Sequence, residues 1–182
     1  MSHITIETKP EHAGIRVTLA AAPEEISPST PGREVGEIRF NPADQTATLS
    51  VGGKDKVTPE TFRRAGGSLA KWIAKNKVTE LGIDPASFGP FVSAQDKLGL
   101  ASDQIAFALA EGILLGSFRF DKHKSKRDEP TPATVYFLDE SLKSTLERAT
   151  VICEATNHAR AWAHEPANVI NPVTLAERVQ EL

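Results

Sequence analysis

The chain is poor in the features that usually announce a function. It holds a single cysteine, Cys153. No internal disulfide can form, and one thiol suits a reducing compartment. Its neighbours Val151, Ile152 and Ala155 make it read as a packing thiol on a helix rather than a reactive one. Long apolar runs are also missing. Residues Val17 to Ala22 form the longest near the start, broken by Thr18, and they are far too short to span a bilayer. No positively charged leader precedes them, so neither a signal peptide nor a membrane role is expected, and the cytoplasm is the expected location. Charge of one sign is not in excess either. A net charge of -3 offers no broad attraction to nucleic acid or to an anionic membrane.

Several catalytic signatures are absent as well. Gly52-Gly53-Lys54 lacks the spacing of a phosphate loop and reads as a tight turn. There is no G-x-G-x-x-G for a dinucleotide and no G-x-S-x-G for a serine hydrolase. The histidines do not cluster. On a helix His158 and His164 would lie about 240° apart, and Pro166 breaks any H-E-x-x-H reading of His164-Glu165. The basic run Lys122-His123-Lys124-Ser125-Lys126-Arg127 is flanked by Asp121, Asp128 and Glu129 and carries no interleaved aromatic platform. It reads as a solvated loop, not a phosphate grip. No catalytic, cofactor-binding or metal residue is assigned.

What is present is an ordinary globular pattern. Hydrophobic residues make up 40% and charged residues 25% of 182 residues. A chain of this length buries roughly 70% of its unfolded surface, enough for an independent core. Period-two alternation marks strands at Ile4-Thr5-Ile6 and Ile15 to Leu19, with a proline-rich loop over Pro23 to Gly36; Glu37 to Phe40 can resume a strand, and Thr46 to Val51 is another, stopped by Gly52-Gly53. Thr58-Pro59-Glu60 starts a helix, with a hydroxyl cap, proline at the first turn and an acid at the positive dipole end. Phe62, Leu69, Trp72 and Ile73 share one face of it, and it should run to Asn76. Gly66-Gly67 inside that helix costs roughly 1 kcal/mol per glycine against alanine, which a close backbone neighbour would explain.

Val78 to Ile83 reads as a strand ended by Asp84-Pro85, and Ser102-Asp103 as the cap of a helix that is apolar almost all round. Ala133 to Leu138 is a further strand. Asp139-Glu140-Ser141 opens a long helix through Leu142, Leu146, Ala149, Ile152 and Cys153 toward Trp162, which Pro166 ends. Pro172 starts a fourth helix with Asn171 as cap. Asn168 and Asn171 suit a sharp link between two helices. Strands interleaved with helices argue for an α/β domain with a mixed sheet. The chain ends inside the fourth helical pattern, so truncation is expected.

Three segments carry a family likeness. Glu165-Pro166-Ala167-Asn168-Val169-Ile170-Asn171-Pro172, followed by Leu175-Ala176-Glu177, resembles the lead into the catalytic domain of leucyl aminopeptidases, the M17 metallopeptidases. Glu111 to Lys124 is similar to the family pattern E-G-x-x-L-G-x-Y-x-F-x-x-Y-K, with Phe118 and His123 in place of the two tyrosines. Phe62-Arg63-Arg64-Ala65-Gly66 resembles the family's first helix. The likeness covers about residues 58 to 182; the first 57 residues match nothing recognisable.

The resemblance implies a macro-domain-like three-layer sandwich, a mixed sheet flanked by helices, with a C-terminal linker helix. Residues 1–150 would form the lobe, and 151–182 the linker and the start of a catalytic domain. It also implies a parent enzyme that releases N-terminal amino acids from peptides with two divalent metals, zinc or manganese, held in that other domain. The family's metal motif N-T-D-A-E-G-R-L does not occur here, so this chain alone is expected to be inactive. Implied partners are its own catalytic domain and further copies, as a hexamer. Two other readings remain at this point: a stand-alone macro-like module binding a nucleotide such as ADP-ribose, resting on fold analogy alone, and a scaffold without ligand.

Overall fold

The computed structural model describes residues 3–21, 34–53, 57–92, 100–125 and 130–180. Most of the loop expected over 23–36, together with Lys54, Lys126 and Arg127, lies outside the described residues. Six strands form one sheet: β1 Ile4–Thr8, β2 Ile15–Ala20, β3 Ile38–Asn41, β4 Thr46–Ser50, β5 Glu80–Ile83 and β6 Ala133–Phe137, in the order β1-β6-β5-β2-β4-β3. All pairings are parallel except β3 with β4, so the sheet is mixed as expected. Four helices accompany it: α1 Pro59–Asn76, α2 Ser102–Gly116, α3 Lys143–Ala163 and α4 Pro172–Gln180.

Register sorts the side chains cleanly. Val17, Leu19, Ala47, Leu49, Leu81, Ile83, Val135 and Phe137 fall on one face and enter a single core with Phe62, Leu69 and Ile73 of α1 and Ile105, Leu109 and Ile113 of α2. The opposite face carries Thr5, Glu7, Arg16, Thr18, Thr46, Thr48 and Thr134, all half-buried or exposed. The helices that reach the sheet, α1, α2 and α3, pack side by side on the apolar face. Among the described residues, the polar face is covered by the β1–β2 connection. That connection lays His12 beside Gly82, where an added Cβ would stand 3.1 Å from the His12 Cβ, and against the Tyr136 ring at 5.4 Å. β1 to β2 and β4 to β5 cross the sheet in opposite directions on opposite faces, which gives both crossovers the same hand.

α1 begins as its sequence demands. Thr58 is the N-cap, its side chain accepting from Thr61 N while Thr61 Oγ1 accepts from Thr58 N at 3.1 Å, and Pro59 opens the first turn. Lys77 closes it in the left-handed region. Phe62, Leu69 and Ile73 are buried, while Trp72 is half-buried against Phe40. α2 differs from expectation at its start. Ala101, not Ser102, is the cap residue, and its N–H donates to Gln104 Oε1 at 3.0 Å. α3 differs in two respects. Asp139 caps a 3₁₀ turn over Glu140–Leu142 that leads into the helix, and Ile152, expected in the packed stripe, is exposed. The stripe runs Leu142, Leu146, Ala149, Cys153 and then Asn157, spacings that one helix face requires.

α1 and α2 meet backbone to backbone. A Cβ on Gly66 would sit 2.4 Å from Leu109 O, one on Gly112 2.0 Å from Arg63 O, and one on Gly116 2.8 Å from Gly67 Cα. Arg63 bridges the same crossing, its Nη2 2.7 Å from Glu111 Oε2, and it also pairs with Glu60. The helix propensity lost at these glycines is offset by burial of a rod that is apolar almost all round. Gly112→Ala should therefore push the helices apart and cost about 3 kcal/mol or more. Gly67→Ala, whose Cβ would meet only Gly112 O at 3.7 Å, should be neutral or stabilise by up to about 1 kcal/mol. Urea unfolding of both variants checks the pair; equal losses would contradict the packing.

Candidate functional site: the junction between the lobe and its linker

The polar groups that converge most densely lie where α3 leaves the lobe. α2 ends at Gly116, and the last carbonyls of a helix have no partner within it. Here α3 supplies partners. Asn157 Nδ2 donates to Leu114 O at 3.2 Å, and Ser117 Oγ donates to the same oxygen at 2.9 Å. Arg160 Nη1 donates to Leu115 O and to Asn157 Oδ1, both at 2.9 Å. A guanidinium at the negative end of α2 is also favoured by the helix dipole. Asn157 is buried with both ends of its amide used, which is how a buried amide avoids a desolvation penalty.

From Arg160 a stack of rings continues outward. Its guanidinium lies over the Phe118 ring, 4.2 Å from the centroid. His164 packs against Phe118 at 5.9 Å and Phe120 at 5.4 Å, and Phe120 meets His123 at 5.7 Å. His123 Nε2 then lies 2.8 Å from Glu165 Oε2, and Lys122 pairs with the other oxygen of the same carboxylate. Only 5% of the Glu165 side chain is exposed. Hydrogen bonds from Lys122 and then His123 hold its pKa below the usual glutamate range. Asp121 is likewise lowered, by Lys124 first and by Arg119. Beyond Glu165 the chain turns, with Val169 N and Ile170 N both donating to Pro166 O, and α4 opens with Asn171 Oδ1 accepting from Val173 N and Thr174 N.

The described part of the basic run is therefore not simply solvated. Lys122 and His123 grip Glu165, and Lys124 pairs with Asp121. The sequence shows Asp121 beside Lys124, but it gives no local signal of the Glu165 contacts, whose partners lie more than forty residues away. Arg160, and the pairing role of Glu165, went unnoticed for the same reason. Cys153 is buried beneath α3, and burial pushes its thiol pKa up to about 11, which suits a packing role. His158 is exposed and apart from the stack. Asn171 caps α4 as expected, while Asn168 is exposed. Gly52 turns the chain with φ 77 after β4. Among the described residues no group of three or more His, Cys, Asp or Glu side chains is placed to hold a metal ion.

The depressed Glu165 pKa sets a sign. Its contribution is present above the ordinary glutamate value and is lost as pH falls through the lowered one. At neutral pH Glu165→Gln should speed amide exchange at Val169 and Ile170 while leaving exchange in α2 unchanged. The wild-type chain should approach the variant's protection factors in acid. Indistinguishable exchange at neutral pH would rule out the clamp.

Comparison with known proteins places this geometry. The model of the cytosol aminopeptidase family, N-terminal domain, matches residues 33–127, just over half of the chain. A probable cytosol aminopeptidase of Aquifex aeolicus is 35% identical over 135 residues, 74% of this chain and 25% of the relative. One from Persephonella marina is 29% identical over 144 residues, 76% and 28% of the two. The chain thus spans about a quarter of the length of the curated relatives it matches. Among solved structures, a mutant of tomato leucine aminopeptidase superposes with a TM-score of 0.72 at 18% identity, over 98% of this chain and 41% of that one. The bottromycin maturation enzyme BotP in complex with Mn superposes at 0.69 and 20% identity, over 93% and 36%. The chain belongs to the cytosol aminopeptidase family, peptidase family M17, and carries that family's N-terminal domain.

Proposed function

We propose that this chain is the non-catalytic N-terminal lobe and connecting rod of a metal-dependent aminopeptidase whose chemistry is performed by a C-terminal domain. The observation that carries this reading is the unfinished surface of the linker. No residue of α4 is buried, and Val173, Leu175 and Val179 are 66%, 39% and 55% exposed. A nine-residue helix is marginal in water unless an apolar face is covered. The share of their relatives left unmatched, about three quarters, leaves ample chain to cover it.

Residues 1–150 are taken as the lobe and 151–182 as the linker, with α3 bridging the two. Arg160, Asn157 and Glu165 would set the direction in which the rod leaves the lobe, and so where the second domain sits. A macro-like, three-layer arrangement would need a further layer on the threonine-rich face of the sheet. Hexameric assembly and a cytoplasmic location are expected from the family likeness alone.

Two divalent metals, zinc or manganese, would activate water and polarise the scissile carbonyl in the catalytic domain. Such a centre needs several convergent carboxylates, and the described residues offer no such group. The described residues do not fit that centre. The purified chain should release no leucine from a chromogenic leucine amide with added zinc or manganese. Robust metal-dependent release would overturn the reading.

A further inference from the structure

Strand β1 is an outer strand of the sheet, at the opposite edge from β3. Its odd-numbered residues bond β6: Ala133 N donates to His3 O and Lys9 N to Phe137 O, each at 3.0 Å. Main-chain groups alternate in direction along a strand, so the N–H and C=O of Ile6 and Thr8 point away from the sheet. Among the described residues no strand pairs with that side. Natural sheets usually blunt such an edge with proline, bulges or lysine. Ile4–Thr8 holds none of these and bears one charge, the exposed Glu7, although Lys9 and Pro10 follow it directly.

Beside this edge α3 stands off from β1. Two adjoining hollows of about 520 and 510 Å³ share Ile6, Glu7 and Thr150 and together run along the strand. Ile4, Ile6, Leu114 and Leu146 give the groove an apolar floor. Its rim is acidic, with Glu7, Glu140, Glu147 and Glu154 set against Lys143 and, at one end, His158. Glu140 accepts from Thr8 Oγ1 at 2.9 Å. The other three carboxylates have no cation within ion-pair distance among the described residues.

We propose that the β1 edge and the groove beside it bind an extended basic peptide segment as an added strand, with apolar side chains entering the hollow and lysine or arginine meeting the carboxylate rim. Main-chain bonds to Ile6 and Thr8 supply affinity, and the alternate side chains supply selectivity. The rim sets the sign of the partner. A second copy of this chain would bring the same acidic rim to its own mirror edge, so like charges disfavour self-pairing. The inference does not depend on the aminopeptidase reading.

The test uses the 182-residue chain and two fluorescein-labelled hexapeptides, one alternating valine with lysine and one alternating valine with glutamate. Fluorescence anisotropy should show the lysine peptide binding at least tenfold tighter. Its binding should slow amide exchange at Ile6 and Thr8. The double variant E147K/E154K, altered at exposed helix positions, should weaken the lysine peptide at least tenfold while keeping the wild-type circular dichroism. Equal binding of the two peptides overturns the proposal, as does no binding at millimolar peptide or binding without slowed exchange at those amides. Self-association without peptide that protects the same amides would also overturn it, in favour of a second copy.

Discussion

The architecture turns on the distance between two helix axes. Gly66 on α1 and Gly112 and Gly116 on α2 let the two backbones touch, and a Cβ at any of the three would collide with the facing helix. That approach lets α2, apolar almost all round, sit between α1 and α3 above the sheet. Every later feature is hung on α2. Its packed middle completes the core, and its C-terminal carbonyls receive Asn157 and Arg160 from α3. The segment after it supplies the rings and cations that hold Glu165. Widening the α1–α2 crossing would move the end of α2 and, with it, the anchorage of α3 at Asn157 and Arg160.

The junction shows how a helix end becomes a mechanical joint. Orphan carbonyls are a cost at any buried helix terminus, and here the bonds that satisfy them come from the departing helix. The Arg160–Phe118–His164–Phe120–His123–Glu165 series then carries that anchorage past the end of α3 at Ala163 to Glu165. A rod tied at Asn157, Arg160 and Glu165 has a defined exit. α4 lies beyond the last of these ties, with Val173 and Val179 exposed.

Elements governed by local chemistry were legible in the sequence. Thr58-Pro59 announced α1, alternation announced the strands, and Asn171 announced the cap of α4. The doubled glycine in α1 signalled a close neighbour without naming it, since its partner Gly112 lies 46 residues on. What was not legible is what the fold brings together from afar. Lys122 and His123 read as solvated because acids flank them in sequence and no aromatic platform is interleaved, yet Glu165 reaches both. Ile152 was placed on the packed stripe by its apolar character, whereas the true stripe passes through Cys153 to the polar Asn157. The cap of α2 moved to Ala101 because a glutamine side chain can serve a backbone N–H as well as a serine at the boundary can. The crossover of β1 to β2 on the polar face, with His12 lying on Gly82, depends on a strand order that alternation cannot reveal.

The central claim is a core organised around α2, with α3 tied to it as far as Glu165 and α4 exposed beyond those ties. Residue-resolved hydrogen exchange on the purified chain tests it most directly. Amides of α2 and of the inner strands β5 and β2 should exchange only through global unfolding, those of α3 up to Asn157 nearly as slowly, and those of α4 with little protection. Protection in α4 equal to that in α2, or loss of α2 protection ahead of the sheet, would contradict the account.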